Sequence, residues 1–201
     1  MSLAHEPRFD LCVIGAGPAG YAGAMRAHDL GKRVLLIEKE NIGGVGLHSG
    51  ALSSKTMWHL SNDYALARRT DRGFLARDVE VSYPAVIETV RSAVAERRSA
   101  LMKQIDRLSA PSPKGGSVTL IEGAGRFLSP NELEVKKADG SLQKVEAEHF
   151  VLATGSTPRV PDGIEVDGER IVTSDHIEDL PAFPESMVIV GAGVIGCEYA
   201  T

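Results

Sequence analysis

The chain has 201 residues, of which 43% are hydrophobic and 24% are charged, and its formal net charge at pH 7 is −5. These values are typical of a globular protein, and the acidic balance without a basic, aromatic-rich cluster argues against a nucleic-acid partner. No apolar run has the length of a membrane span, and the N-terminus lacks a signal-peptide pattern. Cys12 and Cys197 do not form a metal-type or redox-type pair, so we expect no metal site, buried reduced thiols and a cytoplasmic location.

The first predicted unit is a strand followed by a glycine-rich turn. Leu11 to Ile14 form a short apolar run that is typical of a strand buried in a parallel sheet. A G-x-G-x-x-G pattern follows at once and comprises Gly15, Gly17, Pro18, Ala19 and Gly20. In such a turn the first glycine leaves the strand, the second admits a pyrophosphate and the third packs the helix on the sheet. The phosphates would lie at the helix N-terminus, where free N–H groups attract anions.

A helix and a second strand complete a predicted βαβ unit. Residues 21–30 carry small side chains suited to packing on a sheet, and Gly31 is expected to end the helix. The second apolar strand, 34–37, ends on Glu38. Glu38 lies about 20 residues past the last glycine, where a carboxylate accepts hydrogen bonds from a ribose diol. The unit therefore predicts FAD or NAD with an unphosphorylated ribose, and the alternative is a solvated glutamate after a glycine-rich turn.

The segment from Gly43 to Lys55 carries a family resemblance. It reads G-G-V-G-L-H-S-G-A-L-S-S-K and resembles the G-G-T-C-L-N-V-G-C-I-P-S-K stretch of the flavin disulfide reductases, the class that contains dihydrolipoamide dehydrogenase and glutathione reductase. The positions of the two redox cysteines hold Gly46 and Ala51. His48 resembles the soluble pyridine nucleotide transhydrogenase branch of that class. Thiol–disulfide exchange requires a thiolate, so the departure argues against dithiol chemistry.

The resemblance implies roles for individual residues. Lys55 would lie beside the flavin N5 and pair with Glu198, and these two are the predicted catalytic residues. Gly125 would touch the adenine side of the cofactor through its backbone. The other residues expected to bind the flavin cofactor, beyond those of the first turn and Glu38, are Lys39, Gly43, Gly44, Val45, Ala153, Thr154 and Gly155.

The middle of the chain is predicted to contain two helices and a β-meander. Ser53 or Ser54 is expected to cap the first helix, which runs to about Arg69. The second helix covers 83–109, and a loop at 110–116 follows it. The predicted strands are 117–121, 126–128, 132–137, 142–147 and 150–153, with a hairpin turn at Asp139 and Gly140.

A second fingerprint closes the chain. An apolar strand is predicted over 187–190, and the glycines that follow it at the same spacing are Gly191, Gly193 and Gly196. The resemblance implies that this stretch begins an NAD(P)-binding domain and that the chain is the N-terminal part of a longer enzyme. We predict an α/β, Rossmann-like fold with a parallel sheet and an antiparallel β-meander. The expected domains are a FAD-binding domain over 1–160, with a helical segment at 53–109 and the meander at 117–147, a connection over 161–186, and the start of the second domain at 187–201.

The function predicted from these features is that of an FAD-dependent oxidoreductase. It would pass hydride between NAD or NADP and flavin without a redox disulfide, as a homodimer when full-length, with no nucleic-acid or membrane partner. The 201-residue chain alone is expected to be inactive. Two alternatives stay open at this stage: an NAD(P)H-dependent quinone or metal reductase, and a non-catalytic module that binds FAD.

Overall fold

A computed structural model describes residues 8–71, 73 and 75–201. The contacts divide the chain into two units. The first unit consists of the chain up to Gly46 together with Arg98–Ser156, and the second consists of Leu47–Arg97 together with Thr157–Thr201. The domain boundaries predicted from the sequence, at residues 160 and 187, stay predictions.

A six-stranded sheet forms the frame of the first unit, in the order β3-β2-β1-β6-β5-β4. Its parallel part joins β3 to β2, β2 to β1 and β1 to β6, and its antiparallel part joins β6 to β5 and β5 to β4. The strands are β1 (Phe9–Ile14), β2 (Arg33–Glu38), β3 (Ser117–Glu122), β4 (Ala124–Ser129), β5 (Glu132–Lys136) and β6 (Leu142–Leu152). The Rossmann-like α/β fold with a meander is thereby present in the first unit.

Two details of the sheet differ from the sequence prediction. The segments 142–147 and 150–153 form one continuous strand, because β6 pairs with β5 at its start, where Leu142 faces Lys136, and with β1 at its end, where Leu152 faces Ile14. The polar residues near 148 mark this change of partner and do not interrupt the strand. In addition, β3 is not part of the meander, since it pairs in parallel with β2 along its whole length.

The core of the first unit lies between the parallel strands and the meander. Apolar side chains of β1, β2 and β3 pack there against those of β5 and β6. The buried members of this core are Cys12, Leu35, Ile37, Ile121, Leu133, Val135, Val145 and Ala147. Adjacent residues of a strand face opposite sides of the sheet, so Leu35 and Ile37, two positions apart, both face this core. Helix α1 also packs against the sheet.

The helices are α1 (Pro18–Asp29), α2 (Gly44–His48), α3 (Ala51–Ala67), α4 (Tyr83–Arg107) and α5 (Val194–Tyr199), with a 3₁₀ turn at Ser174–Asp179. Helix α1 buries Gly20, Ala24 and Ala27, and it ends before Gly31, whose φ of 79° is left-handed. Helix α4 buries Ile87, Val90, Leu101 and Ile105. None of the described helices is both long and apolar enough to cross a membrane.

Three predictions about the second unit are wrong. Helix α3 begins at Ala51 with Gly50 as its N-cap residue, so Ser53 and Ser54 lie buried inside its first turn and do not cap it. The segment 187–190 is not a strand and is exposed, with Val188 90% accessible, because the described residues provide no strand beside it with which to pair. Cys197 is exposed, whereas Cys12 is buried as expected.

Candidate functional site

The turn after β1 is closely packed against the end of β6. Gly15 adopts a φ of +100°, and its N–H donates to the carbonyl oxygen of Ile37 at 2.7 Å. A Cβ atom at this position would overlap the carbonyl of Ala153. Ala153 in turn donates its N–H to the carbonyl oxygen of Ile14 at 2.8 Å. Only glycine fits here, for both its conformation and the space available.

The third glycine of the pattern brings α1 onto the same turn. A Cβ atom on Gly20 would overlap the carbonyl oxygen of Gly15 and lie 3.0 Å from the Cβ of Ala153. The helix can therefore start directly beneath the turn, as the spacing predicts. The structure thus brings together Gly15, Gly20 and Ala153, three of the residues singled out from the sequence.

The N-terminus of α1 faces a second glycine pair. Gly17 is the N-cap residue, no side chain caps the helix, and the first turn contains no acidic residue. Gly43 donates its N–H to the carbonyl oxygen of Ala16 at 2.9 Å. Gly44 has a φ of +54°, and a Cβ built on it would lie too close to Gly17, 2.9 Å from its Cα. The segment after β2 therefore closes over the glycine-rich turn.

This N-terminus fits a pyrophosphate. A Cβ on Gly17 would have only the Cα of Gly44 nearby, at 4.0 Å, so the space beside Gly17 is open. The first N–H groups of a helix have no partner within it, and the helix dipole favours a negative group there. Among the described residues, the first turn of α1 has no side-chain cap and no acidic residue, so this helix N-terminus suits a diphosphate such as that of FAD.

Glu38 lies at the end of β2 and binds the backbone of the turn. Its Oε2 accepts the N–H of Ala16 at 2.7 Å and its Oε1 accepts the N–H of Glu40 at 2.9 Å. A carboxylate has about four acceptor positions, so a ribose hydroxyl could still bind. The sequence predicted Glu38 as a ribose ligand, and the structure adds that it orders the turn. Lys39, next to it, pairs with Glu40, and that hydrogen bond raises the pKa of Lys39.

The remaining predicted ligands of the first unit have less specific surroundings. Gly125 lies in β4 opposite Val135, and a Cβ there would lie 2.8 Å from the side chain of Leu133, so packing alone explains this glycine. Thr154 and Gly155 follow β6, and nothing lies within 4 Å of a Cβ built on Gly155. Val45 is exposed in α2. Their contacts with a cofactor stay predictions.

Sequence reasoning missed the contact of Gly123, and it singled out Gly46 only as a redox-cysteine position, without its packing partner. Gly123 donates its N–H to the carbonyl oxygen of Glu38 at 2.7 Å, which joins the β3–β4 turn to the end of β2. Gly46 lies against the α1 N-terminus, since a Cβ there would be 2.7 Å from the Cγ of Pro18. The glycine-rich stretch 122–125 was a usable signal for Gly123, whereas nothing local in the sequence indicates the partner of Gly46.

The second unit brings Lys55 and Glu198 together across 143 positions in sequence. The Nζ of Lys55 donates to the Oε1 of Glu198 at 2.9 Å, and the Oγ of Ser54 donates to its Oε2 at 3.0 Å. These hydrogen bonds, the one from Lys55 first, lower the pKa of Glu198. The carboxylate is therefore ionised and held at both oxygens by consecutive residues of α3.

The second glycine-rich turn repeats the local geometry of the first. Gly191 has a φ of +120°, and a Cβ on Gly196 would overlap the carbonyl oxygen of Gly191, as one on Gly20 would overlap that of Gly15. Gly193 is the N-cap residue of α5, and its carbonyl oxygen accepts the N–H of Cys197 at 3.0 Å. The turn thus forms although the strand predicted before it does not.

A parallel sheet with a G-x-G-x-x-G turn at a bare helix N-terminus defines a dinucleotide-binding α/β protein. The sequence profile of the pyridine nucleotide-disulphide oxidoreductases matches residues 9–201. The chain belongs to this family.

Individual relatives agree with the family assignment. The mitochondrial dihydrolipoyl dehydrogenase 1 of Arabidopsis thaliana is 35% identical over 195 residues, which are 96% of this chain and 37% of that protein. The soluble pyridine nucleotide transhydrogenase of Vibrio cholerae is 36% identical over 200 residues, 99% of this chain and 41% of that protein. The crystal structure of LpdA from Mycobacterium tuberculosis matches with a TM-score of 0.73 and 29% identity, covering 87% of this chain and 38% of that one.

The comparisons confirm the family resemblance, the Rossmann-like α/β fold, and FAD with NAD or NADP as the cofactors predicted from the sequence. The chain spans 37–41% of the length of the curated relatives just named.

Proposed function

We propose that the chain is the FAD-binding part of an oxidoreductase that passes hydride between NAD or NADP and flavin without a redox disulfide. The observation that carries this proposal is the α1 N-terminus, where Gly17 leaves open space beside a helix start that no described side chain caps. FAD supplies the redox chemistry when it is bound, because its ring system accepts a hydride and returns it.

The residues of the first unit have binding roles in this proposal. The N–H groups of the first turn of α1 hold the pyrophosphate, and Gly17 provides the room for it. Glu38 accepts hydrogen bonds from the ribose while its bond to Ala16 keeps the turn in place. The residues assigned to the surroundings of FAD on the family resemblance are Pro18, Ala19, Lys39, Gly43, Gly44, Val45, Gly125, Ala153, Thr154 and Gly155.

In this proposal the residues of the second unit set the charge beside the flavin ring and bind the nicotinamide nucleotide. Lys55 places a positive charge whose position is fixed by Glu198, and we assign this pair to the flavin ring because the family resemblance does so. Gly191, Gly193 and Gly196 are assigned to the nicotinamide nucleotide, since their turn repeats the geometry of the first. A cation near a reducible ring favours its reduced, anionic form.

Direct transfer without a disulfide is supported by the cysteines. Burial raises the pKa of Cys12 to about 12, so its thiol stays protonated and is a poor nucleophile. Cys197 is exposed and unpaired. With Gly46 and Ala51 at the redox positions, this stretch offers no dithiol to receive electrons from the flavin. A second nicotinamide nucleotide is then the simplest acceptor, as the name of the Vibrio cholerae transhydrogenase suggests.

The test is an anaerobic titration of the full-length, flavin-loaded protein with NADH and with NADPH. We expect the flavin absorption to bleach, and transhydrogenation to proceed without lipoamide turnover or inhibition by arsenite. Cys197→Ser is the matched control and should behave like the parent, because no thiol takes part. If the protein binds stoichiometric flavin and neither nucleotide reduces it, the protein is a binding module. If the protein turns over lipoamide and Cys197→Ser abolishes that turnover, a thiol takes part in the reaction.

Two further parts of the proposal concern the whole protein. The family resemblance supports a homodimer, which sedimentation of the whole protein would test. The unpaired cysteines support a cytoplasmic location.

A further inference from the structure

The carboxylate of Glu198 has two partners that differ in kind. Lys55 is a long side chain that is 56% exposed, whereas Ser54 is 8% exposed. Both donate to Glu198, the ammonium to Oε1 and the hydroxyl to Oε2. The carboxylate side chain itself is 29% exposed.

The ion pair alone does not fix the position of the charge. Exposed ion pairs are weak, because water screens the charges and the lysine side chain loses rotamer freedom when it is held. Ser54 has one rotatable side-chain bond, and its backbone is anchored where its N–H donates to the carbonyl oxygen of Gly50 at 3.0 Å. Its hydroxyl is therefore the more rigid of the two donors.

The arrangement also fixes which oxygen of the carboxylate points to which donor. Side chains of consecutive helical residues point in different directions around the axis. A carboxylate that accepts hydrogen bonds from both Ser54 and Lys55 must therefore point one oxygen toward each side chain. Holding Oε2 on Ser54 thus leaves Oε1 directed toward Lys55.

We propose that Ser54 is a positioning residue that holds the Glu198 carboxylate in the orientation that fixes Lys55, and through it the charge offered to the flavin. This inference rests on the proposed function of the pair. It identifies the buried hydroxyl as the element that converts an exposed ion pair into an ordered one.

The neighbouring Ser53 provides a matched control. It is fully buried in the same turn, and its Oγ donates to the carbonyl oxygen of Gly50 at 3.2 Å, not to Glu198. Ser53→Ala therefore removes a buried hydroxyl from the same place without removing a partner of the carboxylate. Ser54→Thr keeps the hydroxyl and is the conservative variant.

The first measurement is the titration of Glu198 by carbon NMR of the protein labelled in its glutamate carboxyl groups. We expect Ser54→Ala to raise the pH at which Glu198 titrates, and Ser53→Ala and Ser54→Thr to leave it unchanged. An unchanged titration in Ser54→Ala overturns the inference. If Ser54→Ala does not fold, Ser54→Cys, which keeps the volume but donates weakly, replaces it.

The second measurement is the midpoint potential of the flavin in the holoprotein. We expect Ser54→Ala to shift the potential in the direction of the Glu198→Gln shift, and to add little in the double variant. A shift in Glu198→Gln without one in Ser54→Ala overturns the positioning role. If neither Glu198→Gln nor Lys55→Met shifts the midpoint potential, the pair has no part in the proposed function. The NMR titration would still decide whether Ser54 holds Glu198.

Discussion

Glu38 accepts the backbone N–H of Ala16 at 2.7 Å, which ties the end of β2 to the glycine-rich turn 22 positions earlier in the chain. The same carboxylate accepts the N–H of Glu40, and its backbone carbonyl accepts the N–H of Gly123. Three segments of the first unit therefore meet at this residue. These hydrogen bonds hold the turn in a form that fits a phosphate.

This relationship predicts that Glu38→Ala weakens both the fold and the binding of FAD. Hydrogen bonds to charged groups contribute about 1.5–3 kcal/mol, so we expect a loss of that order in the free energy of unfolding. The measurement is urea unfolding with and without FAD. Glu40→Ala is the control, because the Glu40 side chain is exposed and pairs with Lys39, and its backbone N–H to Glu38 is kept. Loss of FAD affinity with unchanged stability would mean that the bond to Ala16 is energetically unimportant.

Gly17→Val should abolish FAD binding and leave the fold intact. The space beside Gly17 is open, and its φ of −66° suits any residue, so the protein tolerates the side chain. The isopropyl group would, however, fill the position that a pyrophosphate needs. Gly23→Val is the control, since Gly23 lies in the same helix and a Cβ there meets nothing within 4 Å. The measurement is the flavin content of each purified variant. A normal flavin content in Gly17→Val would contradict the assignment of this turn to the pyrophosphate of FAD.

The first glycine-rich turn was predictable because its glycine spacing is local, although its partners Ile37, Gly44 and Ala153 are not. The spacing of Gly15, Gly17 and Gly20 encodes a turn whose atoms lie within a few residues of one another, and α1 and β2 follow from periodicity. Gly31 likewise marks a helix end through its own backbone conformation. The same reasoning explains why the turn at Gly191 forms without a strand before it.

The failures concern partners distant in sequence. The strand expected over 187–190 needs neighbours that no local pattern supplies, and the partner change along β6 depends on strands from different parts of the chain. Ser54 looked like a helix cap, but Gly50 is the N-cap residue and the hydroxyl instead reaches Glu198, 144 positions away. Only the family resemblance indicated that Lys55 and Glu198 would meet.

The lowered pKa of Glu198 predicts an acid-sensitive contribution to stability. Its pKa in the folded protein lies below the ordinary value of 4.5, chiefly because of the hydrogen bond from Lys55. The contribution is therefore fully present above the unfolded value and is lost as the pH falls through the folded one. Urea unfolding between pH 6 and about pH 3 should show a steeper loss in the parent than in Glu198→Gln. Parallel curves would mean that the pair does not form in solution.

The two cysteines should differ sharply in reactivity. Cys12 is buried in β1 with a pKa raised to about 12 by desolvation, whereas Cys197 is exposed. At pH 8 a thiol reagent should therefore label one cysteine in the folded protein and both in urea. Cys197→Ser should remove the folded-state label, while Cys12→Ser should leave it. Labelling of folded Cys197→Ser would mean that β1 opens readily.

Gly46 occupies a redox-cysteine position of the family resemblance, and the structure gives a steric reason why a cysteine does not fit there. A Cβ at Gly46 would lie 2.7 Å from the Cγ and 3.3 Å from the Cδ of Pro18. Contacts this short require a neighbour to move, and overpacking of this kind costs about 1–3 kcal/mol. We therefore expect Gly46→Cys to lower the free energy of unfolding by that amount, and Ala51→Cys, at an exposed position, to change it little.

A double-mutant cycle with Pro18→Ala isolates the cause. Removing the ring of Pro18 removes the atoms that a Cβ at Gly46 would strike, so Gly46→Cys should cost much less in the Pro18→Ala background than in the parent. Because Pro18 is also the first residue of α1, Pro18→Ala has its own effect on stability, which the cycle subtracts. Equal costs of Gly46→Cys in both backgrounds would show that the contact with Pro18 is not the barrier. With the expected coupling, a cysteine at Gly46 requires the ring of Pro18 to move.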